Sequence, residues 1–232
     1  MIQISNISYK YEDALILKDI NLNIKEKDFL AIIGHNGSGK TTLIKHINGL
    51  LTPLKGTVTV DNLNTKNNDW EIKQKVGIVF QNPEDQLISS IVEEDIAFGL
   101  ENLNIPSNEI QDKVKNILKK LNIEHLAKKN VNNLSFGQKQ LVALAGVLVM
   151  RPKYIIFDEP TTVLDPKNKS NILKTMDELN KEGITIILIT NNLADIEKYV
   201  KDIVLLKKGE IIFNNKKEKL TKDILKEADM HE

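Results

Sequence analysis

The chain has 232 residues, enough for one large α/β domain, or for a core carrying an inserted subdomain, with ample buried volume. Its 32 basic and 32 acidic side chains cancel, so nothing in the charge balance steers it to nucleic acid, and no nucleic-acid partner is expected. It has no cysteine, which fits a reducing compartment without establishing one, and its longest apolar run, Leu141 to Met150, is too short to span a bilayer.

Along the chain, Ile2, Ile4, Ile7 and Tyr9 alternate with a slip at Ser5-Asn6, and Ile20, Leu22 and Ile24 alternate more cleanly. Both stretches read as antiparallel strands with one covered face. Tyr9 and Tyr11 lie between them. An aromatic ring here can stack on a purine, since its face binds any base, or it can cover core at a strand edge. Spacing alone leaves both open. Phe29 to Ile33 is a short continuous apolar run, the pattern of a buried parallel strand.

That run leads into Gly34-His35-Asn36-Gly37-Ser38-Gly39-Lys40-Thr41, which fits the phosphate-binding loop G-x-x-x-x-G-K-[ST]. Glycines at 34, 37 and 39 permit positive φ and lack a Cβ, so the backbone can wrap a polyphosphate and aim its N–H groups inward. Lys40 adds a point charge at the β- and γ-phosphates, and the Thr41 hydroxyl can ligate Mg²⁺. Thr42 to Asn48 reads as a helix whose positive N-terminus faces the anion.

Gly49 and Pro53 then break the pattern, Gly56 to Val60 reads as a strand and Asp61-Asn62 as a turn. Lys75 to Phe80 is a further buried strand that ends at Gln81. A glutamine at that edge can touch Mg²⁺ or an attacking water, or can simply belong to a polar loop. Residues 86–150 change character and look helical. Ser107 or Asn108 is expected to cap a helix with Ile110, Val114, Ile117, Leu118 and Leu121 on one face. Ser135 reads as the N-cap of an apolar helix running to Met150 and stopped by Pro152. Such a helix start is an anion site or an ordinary capped end.

Lys153 to Phe157 is an apolar strand ending in Asp158 and Glu159. Asp158 can hold a Mg²⁺ water, and Glu159, pointing elsewhere, can polarise a water for in-line attack on a γ-phosphate. Arg151 is the lone arginine, which argues against an arginine finger from a second copy. Charge on a transferred phosphoryl would fall to Lys40, Mg²⁺, backbone dipoles and neutral donors. Ile184 to Ile189 is another buried strand, ending at Thr190-Asn191-Asn192. Ile203 to Phe213 reads as a hairpin, and the charged tail from Lys216 as a short solvated helix.

Together these stretches resemble the ATP-binding-cassette (ABC) ATPases over essentially the whole chain. The resemblance implies a phosphate-loop α/β fold: a RecA-like parallel sheet core, an N-terminal antiparallel β subdomain and an inserted helical subdomain. The core is expected at about 1–85 and 153–215, the helical part at about 86–152 and the tail at 216–232, in one domain. It implies ATP contacts from Tyr11, from Gly34, His35, Asn36, Gly37, Ser38, Gly39, Lys40, Thr41 and Thr42, and from Asp165 of the stretch Val163-Leu164-Asp165. Leu134-Ser135-Phe136-Gly137-Gln138 looks like the signature L-S-G-G-Q, and adds Ser135, Gly137 and Gln138. Mg²⁺ is implied at Thr41, Gln81 and Asp158. Glu159 is the implied general base, with Gln81 and Asn191 as further catalytic residues.

The family also implies partners. Two cassettes close head to tail, as a homodimer or a heterodimer, each signature helix capping the ATP held by the other's glycine loop. A groove beside Gln81 passes the motion to an integral membrane subunit, which would hold this protein on the cytoplasmic face of the membrane. Gln81 to Leu87 and Ala97 to Asn102 are most similar to energy-coupling-factor ATPases of vitamin and metal-ion importers. Two positions depart from the pattern. Phe136 replaces the first signature glycine, and Asn191 stands where the family has a switch histidine. Asparagine can donate to a γ-phosphate but cannot take up a proton, so slow hydrolysis with intact ATP binding is expected. A weakly hydrolysing regulatory or structural clamp, or the impaired half of a heterodimer, is the alternative reading.

Overall fold

A computed structural model describes residues 1–230; the expected tail extends to His231 and Glu232, which lie outside the described residues. From the amino end run β1 (Ile2–Tyr11), β2 (Ala14–Ile24), β3 (Phe29–Ile33), α1 (Lys40–Ile47), β4 (Lys55–Val60), β5 (Leu63–Asn64), α2 (Asp69–Lys75) and β6 (Val76–Val79). The helices α3 (Val92–Asn102), α4 (Ser107–Lys120) and α5 (Phe136–Leu148) follow. Then come β7 (Tyr154–Asp158), α6 (Pro166–Lys181), β8 (Thr185–Thr190), β9 (Asp202–Lys207), β10 (Glu210–Lys216) and α7 (Lys222–Glu227).

The continuous apolar runs become the middle of a six-stranded sheet in the order β10-β9-β3-β8-β7-β6. The pairs from β9 to β6 are parallel, and β10 folds back antiparallel on β9 through Lys208 and Gly209, both at positive φ. Every residue of β3, β7 and β8 is buried, which requires cover on both faces. On one face Leu30, Ile32, Ile156 and Ile187 pack with Leu43 and Ile47 of α1 and with the antiparallel sheet β2-β1-β4-β5. On the other, Phe29, Ala31, Phe157 and Leu188 meet Leu144 and Leu148 of α5 and Ile172 and Met176 of α6. A third cluster joins α3, α4 and the far side of α5 through Ile96, Val114, Val142 and Ala145. Helix α5 therefore has apolar residues in two cores.

The slip at Ser5-Asn6 is a bulge: the β1–β2 register breaks between Ile4 and Ile7, and Asn6 has φ 50°. Asp61 and Asn62, at φ 50° and 67°, turn β4 into β5. Other expectations need correction. Lys75 is the last residue of α2, not the first of β6; Ile72 is the one buried residue of α2, so no apolar periodicity announces it. Helix α4 has Pro106 as its N-cap residue and no side-chain cap, so neither Ser107 nor Asn108 caps it. Lys216 closes β10. The segment after it is not simply solvated: Ala228 and Met230 are 1% and 6% exposed and pack with Leu225 on the β3–β9 face of the sheet.

Candidate functional site

The parallel strands deliver their C-terminal ends to one edge, and the polar residues gather there. β3 runs out at Ile33 and the chain turns at Gly34, φ 151°, where a Cβ would stand 2.3 Å from the Leu206 carbonyl oxygen. Gly39, φ 105°, is the residue ahead of α1, and no side chain caps that helix. Its first N–H groups are thus left for an anion. A Cβ on Gly37 would meet nothing within 4 Å, and the Ser38 hydroxyl is buried without a partner. An open cradle with an orphaned buried hydroxyl and free helix amides fits a polyphosphate.

Lys40 is 5% exposed and lies back along the loop, donating to Gly34 O at 2.8 Å and His35 O at 3.1 Å. Burial pushes its pKa down, and the carboxylates of Glu159 and Asp158 work against that. The Thr41 hydroxyl donates to Asp158 at 3.2 and 3.4 Å. Burial raises the Asp158 pKa, opposed by the Thr41 bond, reinforced by Glu159 and opposed by Lys40. A hydroxyl beside a carboxylate suits Mg²⁺, which takes one or two carboxylates and completes its shell with phosphate oxygens and water. Among the described residues no cluster of three or more His, Cys, Asp or Glu could hold a metal without such help.

Glu159 follows β7 at φ 45°, a strained value for a residue with a Cβ, and its N–H is held by Ile189 O at 2.9 Å. Its carboxylate has different partners from that of Asp158. One oxygen accepts from Gln81 Nε2 at 3.2 Å and from Thr162 Oγ1 at 3.4 Å; the other is 4.0 Å from Lys40 Nζ. Asn191, just past β8, donates from Nδ2 to Asn36 Oδ1 at 3.2 Å. The fold thus brings Gly34 to Thr41, Gln81, Asp158, Glu159 and Asn191 to one place. His35 and Asn36 also line a cleft with Asn191, Asp229 and Met230. Thr42 enters α1 and accepts at its carbonyl from His46 Nδ1 at 2.8 Å.

Other sequence-selected residues make no hydrogen bond or ion pair with this cluster among the described residues. Tyr11 is 45% exposed and stands edge-on to Tyr9, which stands edge-on to buried His46, with centroids 5.0 and 4.7 Å apart. Ser135 and Gln138 close a capping box on each other: Gln138 N donates to Ser135 Oγ at 3.4 Å, and Ser135 N to Gln138 Oε1 at 3.0 Å. Gly137 faces the Asn168 amide, where a Cβ would sit 3.3 Å away. Asp165 is the N-cap of α6, accepting from Lys167 N, Asn168 N and Asn168 Nδ2, and bonds from the Asn168 backbone and amide hold its pKa low. Among the described residues no hydrogen bond or ion pair joins Ser135–Gln138 or Asp165 to the glycine loop of the same chain.

Two residues escaped the reading of the sequence. Phe80 N donates to Gln86 Oε1 at 3.1 Å, and Gln140 Nε2 donates to Phe80 O at 3.3 Å. Gln86 also donates to Ala143 O at 3.3 Å. Both backbone polar groups of Phe80, the residue ahead of Gln81, are therefore tied: the carbonyl to α5, and the N–H to Gln86 of the loop between β6 and α3, which is itself tied to α5. Gln140 is 1% exposed, but it follows Gln138-Lys139 and so reads in the sequence as part of the polar start of α5, ahead of the apolar run from Leu141.

A glycine cradle at a helix start, with a hydroxyl–carboxylate pair and a second carboxylate at its mouth, defines a phosphate-loop nucleotide-hydrolase site. A profile of the family described as ABC transporter matches residues 17–162. The energy-coupling factor transporter ATP-binding protein EcfA1 of Clostridium novyi (strain NT) is 47% identical over 220 residues, 91% of this chain and 78% of that protein. The cobalt import ATP-binding protein CbiO of Syntrophus aciditrophicus (strain SB) is 40% identical over 222 residues, 94% of this chain and 79% of that one. The solved structure of cbiO1 from Clostridium perfringens, part of the ABC transporter complex cbiONQ, superposes with a TM-score of 0.87 at 41% identity, covering 97% of this chain and 92% of that one. A dimeric ATP-binding cassette in a post-hydrolysis state, bound to ADP and Pi, gives 0.82 at 32% identity, covering 93% of this chain and 98% of that one. This chain belongs to the ABC transporter family, as an ATP-binding cassette with the ATPase chemistry of that class.

Proposed function

We propose that the chain is the ATP-binding and ATP-hydrolysing subunit of an energy-coupling-factor importer for a vitamin or a metal ion. The observation that carries this reading is the contact of Gln81 Nε2 with Glu159 at 3.2 Å, the other Glu159 oxygen lying 4.0 Å from Lys40. It sets a carboxylate beside the lysine that would hold the β- and γ-phosphates. A clamp that only binds ATP has no use for such a base, and the names of the relatives speak for a transporter.

In this reading Gly34 to Thr42 cradle the triphosphate with backbone N–H groups and Lys40, and Tyr11 stacks on the adenine. Thr41, Asp158 and Gln81 would hold Mg²⁺, which when bound neutralises charge on the transferred phosphoryl. Glu159 accepts a proton from the attacking water, Gln81 orients that water, and Asn191 donates from Nδ2 to the γ-phosphate. Ser135, Gly137, Gln138 and Asp165 serve the nucleotide of a second cassette, identical or different. Among the described residues they have no hydrogen bond or ion pair to the glycine loop of their own chain, and Val163, two residues before Asp165, is 63% exposed; both facts support a role across an interface.

The membrane subunit docks in a cavity of about 320 Å³ next to Phe80 and Gln86, whose rim carries the exposed apolar side chains Leu50, Ile88 and Phe98. Among the described residues no helix is long and apolar enough to cross a membrane, so attachment to the cytoplasmic face falls to that partner. Replacing Glu159 by Gln tests the whole reading. Turnover is expected to fall by about 10²- to 10⁴-fold, with an ATP-bound dimer accumulating on size exclusion. Unchanged turnover and unchanged oligomeric state would sink it, as would purification from membranes with no companion membrane protein.

A further inference from the structure

A buried charge outside the groups just assigned links the two loops that carry Glu159 and Asn191. Asp195, 1% exposed, ends the short 3-10 turn Leu193–Asp195 after β8. Its Oδ2 accepts from Thr161 Oγ1 at 2.6 Å and from Thr190 Oγ1 at 2.9 Å. Lys169 Nζ stands 2.5 Å from Oδ1 as an ion pair off the angle of a hydrogen bond. Both threonines are buried, at 5% and 2% exposure.

These partners come from three separate segments. Thr161 lies two residues beyond Glu159, on the same loop. Thr190 ends β8 and hands the chain to Asn191, which reaches Asn36 of the glycine loop. Lys169 is in the first turns of α6, and its N–H donates to the carbonyl of the cap Asp165 at 2.9 Å. A desolvated carboxylate is a poor choice for stability alone, since apolar side chains of the same volume hold loops together as well or better. What it adds is fixed distance: two hydroxyls and an ammonium converging on one group set three segments at hydrogen-bond length from a common centre.

We infer that Asp195 is a positioning residue that fixes the spacing of Glu159 against Asn191, and so of the attacking water against the γ-phosphate, without touching nucleotide. The inference rests on the hydrolytic reading above. Its test compares ATP turnover with Mg²⁺-ATP affinity in the full chain. Asp195→Asn keeps volume and removes the charge, and is expected to lower kcat by about 10- to 100-fold, the scale of a displacement of about an ångström, with Kd within about twofold. Thr161→Val and Thr190→Val remove one hydroxyl each at constant shape and are expected to show the same split. Thr161→Ser and Thr190→Ser, which restore the hydroxyl, are expected to recover most of the lost rate.

The valine variants carry the test should Asp195→Asn fail to fold. Folded variants that turn over at the wild-type rate overturn the inference, as do variants in which kcat and affinity fall together or in which only the melting temperature moves. A wild-type chain that binds ATP but shows no turnover removes the reading beneath it, and the inference with it.

Discussion

Helices α1 and α5 both begin at the polar end of an apolar core, yet their first turns are built in opposite ways. α1 starts after Gly39, with no side chain on its N-terminal amides and an unpartnered Ser38 hydroxyl beside them. α5 starts after Ser135 with both members of a capping box in place, so two of its donors are satisfied within the chain. The first is a site that costs stability when empty-handed, since free amides and a buried hydroxyl want a partner. The second is stable as it stands, and offers a ligand only its remaining amides and the free hydrogen of Ser135. In the proposed reading a phosphate is bound chiefly at α1, and α5 contributes as a lid from another cassette.

The glycines at the two starts give the largest expected contrast. At Gly39, φ 105°, alanine meets left-handed strain, Leu17 Cδ2 at 2.9 Å and Ile16 O at 3.2 Å. Gly39→Ala is expected to cost about 1–3 kcal/mol of stability and to weaken ATP at least about tenfold, read by thermal melts and nucleotide titration. At Gly137 the backbone is helical and a Cβ meets the movable Asn168 amide. Gly137→Ala should leave melting unchanged or raise it, by up to about 1 kcal/mol of helix propensity, while turnover falls. If both variants lose ATP binding equally, the two helix starts do not divide the work as described.

Asn191 sharpens the contrast from the glycine-loop side. It holds Asn36 as a neutral donor and cannot gain charge. Asn191→His is expected to raise turnover by about tenfold or less, the effect of one added donor or proton acceptor, with ATP affinity little changed. No gain in turnover would mean that asparagine limits nothing. Ser135→Ala is smaller in the fold: losing half of the capping box costs about 1 kcal/mol, or roughly 2–4 °C of melting temperature. A silent melt would show that the box contributes nothing to α5.

The smallest effect lies beneath α1. Burial pushes the His46 pKa below its ordinary 6.5, with the bond to Thr42 O partly opposing. The unfolded chain then takes up the proton first, so this contribution to stability is present above pH 6.5 and is lost as pH falls below it. His46→Gln should flatten the melting temperature between about pH 7 and pH 5 relative to wild type. An unchanged pH profile in the variant would show that His46 does not titrate on unfolding.

Much of the fold and part of the site were legible without coordinates, for local reasons. Buried parallel strands such as β3 and β8 need unbroken apolar runs, and a helix start favours a short side-chain acceptor, so Phe29 to Ile33 and the cap Ser135 announce themselves, while the reciprocal bond to Gln138 came only with the structure. Helix α2 did not, because one buried residue makes no period. The docking of Ala228 and Met230 did not, because a short charged helix with apolar residues just beyond it reads as solvated. Tyr11 shows the middle case: the sequence left stacking and edge cover both open, and the exposed ring beside Tyr9 suits an aromatic face available to a ligand.

What the sequence by itself determined is the chemistry within each short stretch: glycines ahead of a lysine, two carboxylates after an apolar strand, a serine ahead of a helix. Those depend on neighbours a few residues apart, where backbone geometry fixes the outcome. Only the tertiary structure decided which stretches meet. It set Gln81 against Glu159, Asn191 against Asn36, and Thr161, Thr190 and Lys169 around Asp195, and it paired Ser135 with Gln138 rather than with its own chain's glycine loop. The reason is strand order: with β8 between β3 and β7, residues far apart in the chain end side by side, and no local pattern encodes that order.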